Sequence, residues 1–278
     1  MGSRRPDGFH EILSRFSSID LADELEVEDA SILELVVEGR PVSAGEDNLV
    51  LKAARALAAE IGIEPRARIR LVKRTPVGAG LGGGSSDAAE ALRLLRDLWR
   101  VDVSDPRLAS IAPALGSDVP YFFSGGEADV SGRGERVVER EDAPAAELLL
   151  LIPPFPLSTR EVFEAHARRT SGRARLPDRL EIESSRAFLG PNGLALAVLE
   201  VNGAMKSYLE SAAEVAAESA MSGSGSAVVL FGAHDGAASW LKKQHPEASV
   251  VPTRTLGRDE YRARTSPSPG GSQWTSPR

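Results

Sequence analysis

The fold turns on Thr75-Pro76-Val77-Gly78-Ala79-Gly80-Leu81-Gly82-Gly83-Gly84-Ser85-Ser86-Asp87-Ala88-Ala89, a glycine-dense loop that runs into a helical pattern. Its glycines at 78, 80, 82, 83 and 84 lack the Cβ atoms that would hold the backbone away from a ligand. Ser85, Ser86 and Asp87 are N-cap residue types, which predicts a helix opening just after them. Ala88, Ala91, Leu92, Leu95, Leu98 and Trp99 recur along it at helical spacing. A helix N-terminus offers unpaired N–H groups and the positive end of the helix dipole. Loop and helix together therefore predict an anion site, above all for phosphate. Gly78, Gly80 and Gly83 also satisfy the dinucleotide pattern G-x-G-x-x-G. That loop should follow its strand at once, whereas Lys73-Arg74-Thr75-Pro76 intervene, and no Lys-Ser or Lys-Thr closes the stretch as in a Walker loop.

Outward from the loop, Ala67 to Val72 alternates charged and apolar residues as a half-buried strand does. Asp47 and Asn48 can cap a helix whose apolar face is Val50, Ala54, Leu57, Ala58 and Ile61, with Gly62 at its end. Strands are expected between Ile12 and Leu21, over Glu24 to Glu28 and over Ile32 to Val37. Downstream, Asp105-Pro106 opens a short helix that Gly116 ends, and Tyr121-Phe122-Phe123 and Ala128 to Val130 read as strands. Glu147 to Ile152 is an apolar run that Pro153-Pro154 stops, so a buried strand and then a domain boundary are expected there. This gives an N-terminal domain of residues 1–152 and a second of residues 153–264. The second reads as mostly helix up to Met221-Ser222-Gly223-Ser224-Gly225-Ser226. The strand Ala227 to Phe231, the helix Ala237 to Lys243 and the strand Ser249 to Thr255 follow. Residues 265–278, rich in Ser, Pro and Gly, read as a disordered tail.

The chain has 278 residues, a net charge of -7 and no cysteine. Disulfides, thiol catalysis and cysteine-held metals are excluded, and no basic footprint for nucleic acid is present. No apolar run approaches the roughly 20 residues of a membrane helix. The lack of cysteine fits a reducing cytoplasm.

Three further segments carry candidate chemistry. Asp118, in Leu115-Gly116-Ser117-Asp118-Val119-Pro120, is expected between a helix end and a strand, where it could accept a proton or simply form a turn. Gly223 and Ser224 lie in a second glycine turn that could approach a phosphate or a substrate. Phe9 and His10 follow the turn Asp7-Gly8, and an aromatic face beside an imidazole suits a nucleobase. His166, His234 and His245 are expected at the surface, and no two histidines stand at metal-ligand spacing.

Taken in order, Arg5-Pro6-Asp7-Gly8-Phe9-His10-Glu11-Ile12, Asp47-Asn48-Leu49, Pro76 to Ala89, Leu115 to Pro120 and Met221 to Gly225 resemble the GHMP kinase superfamily. They are most similar to its 4-diphosphocytidyl-2-C-methyl-D-erythritol kinase branch. The resemblance implies a two-lobed α+β fold, as monomer or homodimer, with the active site between the lobes. ATP with Mg2+ and phosphorylation of a small molecule, at the 2-hydroxyl of a cytidine-diphosphate-linked methylerythritol in the non-mevalonate isoprenoid pathway, are implied with it. It implies that Pro76, Val77, Gly78, Ala79, Gly80, Leu81, Gly82, Gly83, Gly84, Ser85 and Ser86 wrap the ATP phosphates, and that Asp118 is the base at the acceptor hydroxyl. It further implies that His10 bonds the cytosine edge, that Phe9 stacks on it in place of the family's usual Tyr, and that Thr159 and Phe163 wall the pocket. The magnesium ligands remain unassigned by it. Homoserine or mevalonate kinases of the same superfamily are the alternative. The family also places a strand of the type Pro-Ala-Lys-Ile-Asn-Leu, with a catalytic Lys, just upstream of the Arg-Pro-Asp-Gly turn. Lys52 is the first lysine here, so a start assigned within a longer frame is expected, or else a nucleotide-binding protein with impaired catalysis.

Overall fold

A computed structural model describes residues 1–2, 4–170 and 189–265. In chain order the strands are β1 (Ile12–Ile19), β2 (Glu24–Glu28), β3 (Leu33–Gly39), β4 (Ala67–Lys73), β5 (Glu127–Gly132), β6 (Arg136–Glu139), β7 (Glu147–Ile152), β8 (Ala216–Met221), β9 (Val228–Ala233) and β10 (Ser249–Leu256). The helices are α1 (Leu49–Ile61), α2 (Gly83–Leu98), α3 (Asp105–Ile111), α4 (Tyr121–Ser124), α5 (Thr159–Arg169), α6 (Ala195–Val201), α7 (Met205–Val215), α8 (Ala237–Gln244) and α9 (Arg258–Arg264).

Two sheets organise them. The larger runs β6-β5-β1-β10-β7-β9-β8, with antiparallel pairing throughout, and the smaller runs β2-β4-β3. The division after Ile152 falls at the end of β7, inside the larger sheet, and β10 lies between β1 and β7. Both halves of the chain therefore build one sheet.

Apolar periodicity places the cores. Ala67, Ile69 and Leu71 of β4 face Leu57 of α1 and Leu92 and Leu95 of α2 in one cluster. Leu149 and Leu151 of β7 pack with Val162, Val198, Tyr208 and Leu241 of the helices beyond it. Between these two clusters, Ala79 of the glycine loop is buried against Leu150, Ile152 and Ala227, so the loop is rooted in the central strands.

Four expectations are corrected. Tyr121-Phe122-Phe123 forms the single turn α4, not a strand. The positions beside β5 are already taken by β1 and β6, and Pro120 starts the turn in the αR region. So short an apolar run carries no period that separates strand from helix. Ala216 to Met221, read as helix, is β8: pairing with β9 overrides the local helix preference of its alanines. An unanticipated helix, α9, follows β10. His166 and His245 are buried, not superficial, because His245 stacks on Tyr208 at 4.1 Å and His166 faces His10 edge-on at 6.2 Å. The tail expected from residue 265 lies, beyond Thr265, outside the described residues.

Candidate functional site

The glycine loop is pinched at its neck. β4 delivers Lys73 inward, on the same phase as Ala67, Ile69 and Leu71, and its side chain is only 3% exposed. The ammonium donates to Asp23 Oδ2 at 2.5 Å and to Asp87 Oδ2 at 2.7 Å. Asp23 Oδ1 accepts the backbone N–H groups of Arg74 and Thr75, at 2.6 and 2.8 Å, and its Oδ2 accepts the Thr75 hydroxyl at 2.5 Å.

α2 begins at Gly83, earlier than expected, so Ser85, Ser86 and Asp87 lie in its first turns and do not cap it. Gly82 is the cap, in the left-handed region at φ 71° and without a side-chain hydrogen bond. The reason is geometric: Asp87 must sit a turn inside the helix to reach Lys73. The first N–H groups of a helix have no partner within it, so the N-terminus of α2 is left as a bare row of donors.

Burial pushes the Asp87 carboxyl up to about 7. The Lys73 charge pulls it down against this and the Asp23 charge adds to the rise. Asp23 is also raised by burial, but the charge and hydrogen bond of Lys73 and the bonds from Thr75 outweigh this and leave it below the usual range. The two groups act oppositely on stability. Between its ordinary 3.8 and about 7, folded Asp87 keeps a proton that the unfolded chain has lost, so stability falls as pH rises through that window. Asp23 loses its contribution only as pH falls below the ordinary range. Asp87→Asn should therefore flatten the decline toward pH 7, measured by urea unfolding across the window. Parallel curves for variant and wild type would refute it.

From the neck, contacts run through every candidate segment and return. Ser222 Oγ donates to the Gly80 carbonyl at 2.8 Å, and the Ala227 N–H donates to the Ala79 carbonyl at 3.0 Å. The Leu157 N–H donates to the Gly78 carbonyl at 3.1 Å, and the hydroxyls of Thr159 and Ser224 pair at 2.9 Å. One turn along α5, the Phe163 ring tilts on His10 with centroids 5.4 Å apart. Phe9, next in the turn, is 45% exposed, so its ring is open to a stacking partner. The Arg133 guanidinium lies 4.7 Å from that ring's centre and donates to the Pro113 carbonyl at 2.6 Å. Beside it, a Cβ on Gly134 would stand 3.0 Å from Asp118 Oδ1. A Cβ on Gly116 would stand 3.7 Å from Ser85 Oγ, which closes the circuit at α2.

The structure thus joins Pro76 to Ser86, Asp118, Phe9, His10, Thr159, Phe163, Gly223 and Ser224 into one ring of neighbouring segments. Gly223 enters through its carbonyl, which accepts from Asn192 Nδ2 at 2.8 Å. Asp118 is half-buried, and desolvation pushes its carboxyl up. Among the described residues no ion pair reaches it. Lys73, Asp23, Arg133 and Asn192 were not singled out from the sequence, and Asp87 was read only as a helix cap. Lys73 could have been, because it stands on the apolar phase of β4.

Residues 48–126 match the family described as GHMP kinases N terminal domain. The structure superimposes on a crystal structure of 4-(cytidine 5'-diphospho)-2C-methyl-D-erythritol kinase with a TM-score of 0.75 at 29% identity, over 92% of this chain and 94% of that one. The chain has the GHMP kinase fold. The same GHMP kinase architecture is shared, as fold alone, with homoserine kinase from Cytophaga hutchinsonii, at a TM-score of 0.61 and 13% identity. Among curated proteins, the 4-diphosphocytidyl-2-C-methyl-D-erythritol kinase of Pelotomaculum thermopropionicum is 45% identical over 164 residues, which are 58% of this chain and 57% of that protein. The enzyme of the same name from Hyphomonas neptunium is 41% identical over 200 residues, 70% of this chain and 65% of that protein. The matched segments span less than two thirds of either relative's length.

Proposed function

We propose that this GHMP kinase-fold chain transfers the γ-phosphoryl group of ATP to the 2-hydroxyl of 4-diphosphocytidyl-2-C-methyl-D-erythritol. The observation that carries this is the circuit of contacts: an amide-rich helix start, a half-buried carboxylate and an exposed aromatic beside an imidazole are neighbours in one ring. Two relatives at 45% and 41% identity bear that substrate in their names.

In this reading the loop Pro76 to Gly82 and the N–H groups opening α2 hold the phosphates. Without Cβ atoms the backbone can approach them closely, and the donors are fixed before the charge develops. Asp118 takes the proton of the acceptor hydroxyl as that oxygen attacks the γ-phosphorus and the bond to ADP breaks. The rest is positioning, since phosphoryl transfer needs little covalent work from a protein. Phe9 and Phe163 offer ring faces to the cytosine, and His10 offers a ring nitrogen to its edge. Among the described residues no three carboxylate or imidazole groups converge to hold a metal by themselves, so Mg2+ would enter on the ATP phosphates. Among those residues no helix is long and apolar enough to cross a membrane, and the lack of cysteine suits a reducing cytoplasm.

The deciding assay is ADP release with ATP and the cytidylyl alcohol, run on the chain and on a version that includes any in-frame segment encoded upstream of Met1. No turnover above background in either version defeats the proposal. With activity in hand, Phe9→Ala and His10→Ala should each raise KM for the alcohol about tenfold and leave KM for ATP unchanged, since base–aromatic stacking is worth 1–3 kcal/mol. Equal effects on both substrates, or on neither, would instead favour an acceptor without a nucleobase, as in homoserine or mevalonate kinases.

A further inference from the structure

The loop that would hold ATP is rich in glycine, the residue that loses most conformational freedom on ordering. Left free, such a loop would weaken its ligand by the cost of fixing it. The structure ties both of its ends to one buried ammonium. On the entry side, Asp23 receives the N–H groups of Arg74 and Thr75 and the Thr75 hydroxyl, and it holds Lys73. On the exit side, Asp87 anchors the second turn of α2 to the same Lys73. The two ends also meet directly. A Cβ on Gly83 would overlap the Thr75 hydroxyl and stand 3.1 Å from Lys73 Nζ. All four side chains are buried, at 8% exposure or less.

We infer that Lys73, Asp23, Asp87 and Thr75 form a positioning clasp that sets the spacing between the two ends of the glycine loop and so fixes its amides for ATP. The inference rests on the ATP reading of the loop given above. Lys73 directs its ammonium to the two carboxylates and acts through them, so it is a positioning residue and not a phosphate ligand. Such a clasp should govern ATP and leave the acceptor untouched, because its hydrogen bonds run to the two ends of the glycine loop, whereas His10 and Phe163 pack on one another and Phe9 on Arg133.

The test measures ATP affinity by calorimetry and the Michaelis constants of both substrates, using the full chain. Asp87→Ala should weaken ATP binding and raise KM for ATP by about tenfold, the loss expected when preorganisation is removed. KM for the alcohol should not change. Asp87→Asn, which keeps an acceptor oxygen for Lys73, should restore ATP affinity to within about twofold of wild type. Thr75→Val, which deletes only the hydroxyl to Asp23, is the second variant should Asp87→Ala fold poorly, and the same selective loss is expected of it. A variant that melts earlier yet binds ATP as wild type does would make the cluster purely structural and overturn the inference. So would a parallel rise in both Michaelis constants, or no rescue by Asp87→Asn. The two readings fail separately. ATP binding without phosphorylation of the alcohol, in the chain and in the version extended upstream alike, defeats the proposed reaction, while the affinities of the variants still decide the clasp.

Discussion

Asp118→Asn should lower kcat by about a thousandfold while ATP affinity stays at the wild-type level, within the range reported for loss of a positioned proton acceptor. The amide has the size of the carboxylate and cannot take the proton of an attacking hydroxyl. Asp118 is well suited to show this cleanly. It is half-buried with no ion pair among the described residues, so the substitution removes a partly desolvated charge without orphaning an ion-pair partner. Thermal unfolding should therefore be unchanged or slightly later. Single-turnover measurements separate the chemical step from product release. A loss smaller than about tenfold would place the proton acceptor elsewhere, since general bases contribute at least a hundredfold.

Gly80→Ala is the second large effect, and it acts where the glycine loop meets the turn at 222–225. Gly80 has φ +74°, and a Cβ there would overlap the Ser222 carbonyl oxygen and stand 2.9 Å from that of Gly225. Both are backbone atoms, so no side chain can swing aside. The methyl group can be accommodated only by parting the glycine loop from the turn at 222–225. That breaks the bond from Ser222 to Gly80 and strains the one from Ala227 to Ala79. A non-glycine residue in this conformation costs about 1–2 kcal/mol, and a lost hydrogen bond adds about 1 kcal/mol, so a destabilisation near 3 kcal/mol is expected. ATP affinity should fall with it. Gly62→Ala is the control: it has nearly the same φ, +73°, but nothing within 4 Å of the added carbon. It should show the conformational cost alone and no loss of ATP affinity. If the two variants behave alike, the close approach of loop and turn is not what matters.

Much of this was legible in the sequence because it is local. The glycine loop between β4 and α2, the cap at Asn48 and the left-handed stop at Gly62 are each decided within a few residues; the last two appear where expected, and the loop does too except that α2 takes its residues from Gly83 onward. What was not legible depends on residues far apart. α4 looked like a strand because nothing in Tyr121-Phe122-Phe123 records that β1 and β6 already flank β5. β8 looked like helix because Ala216 to Ala220 favour helix until β9 offers them backbone partners. The clasp was half legible. A lysine on the buried phase of a strand requires a carboxylate, but only the fold reveals that Asp23, 50 residues upstream, and Asp87, 14 residues downstream, supply it. Asp87 was read as a helix cap because its type fits that role equally well.

The position of β10 bears on how the chain is made. Its register pairs Ser18 and Ile19 on one side and Glu147 to Ile152 on the other, and it is residues 249–256 that join them. During synthesis, β1, β5 and β6 can pair early, and β7, β8 and β9 somewhat later, as two separate fragments with exposed edges. Neither can merge with the other until the last of these strands has left the ribosome. The circuit that passes from His10 through α5 to the glycine loop would then close only after β10 has emerged, and a nascent chain cut before residue 249 should expose two unpaired strand edges to aggregation or to chaperones.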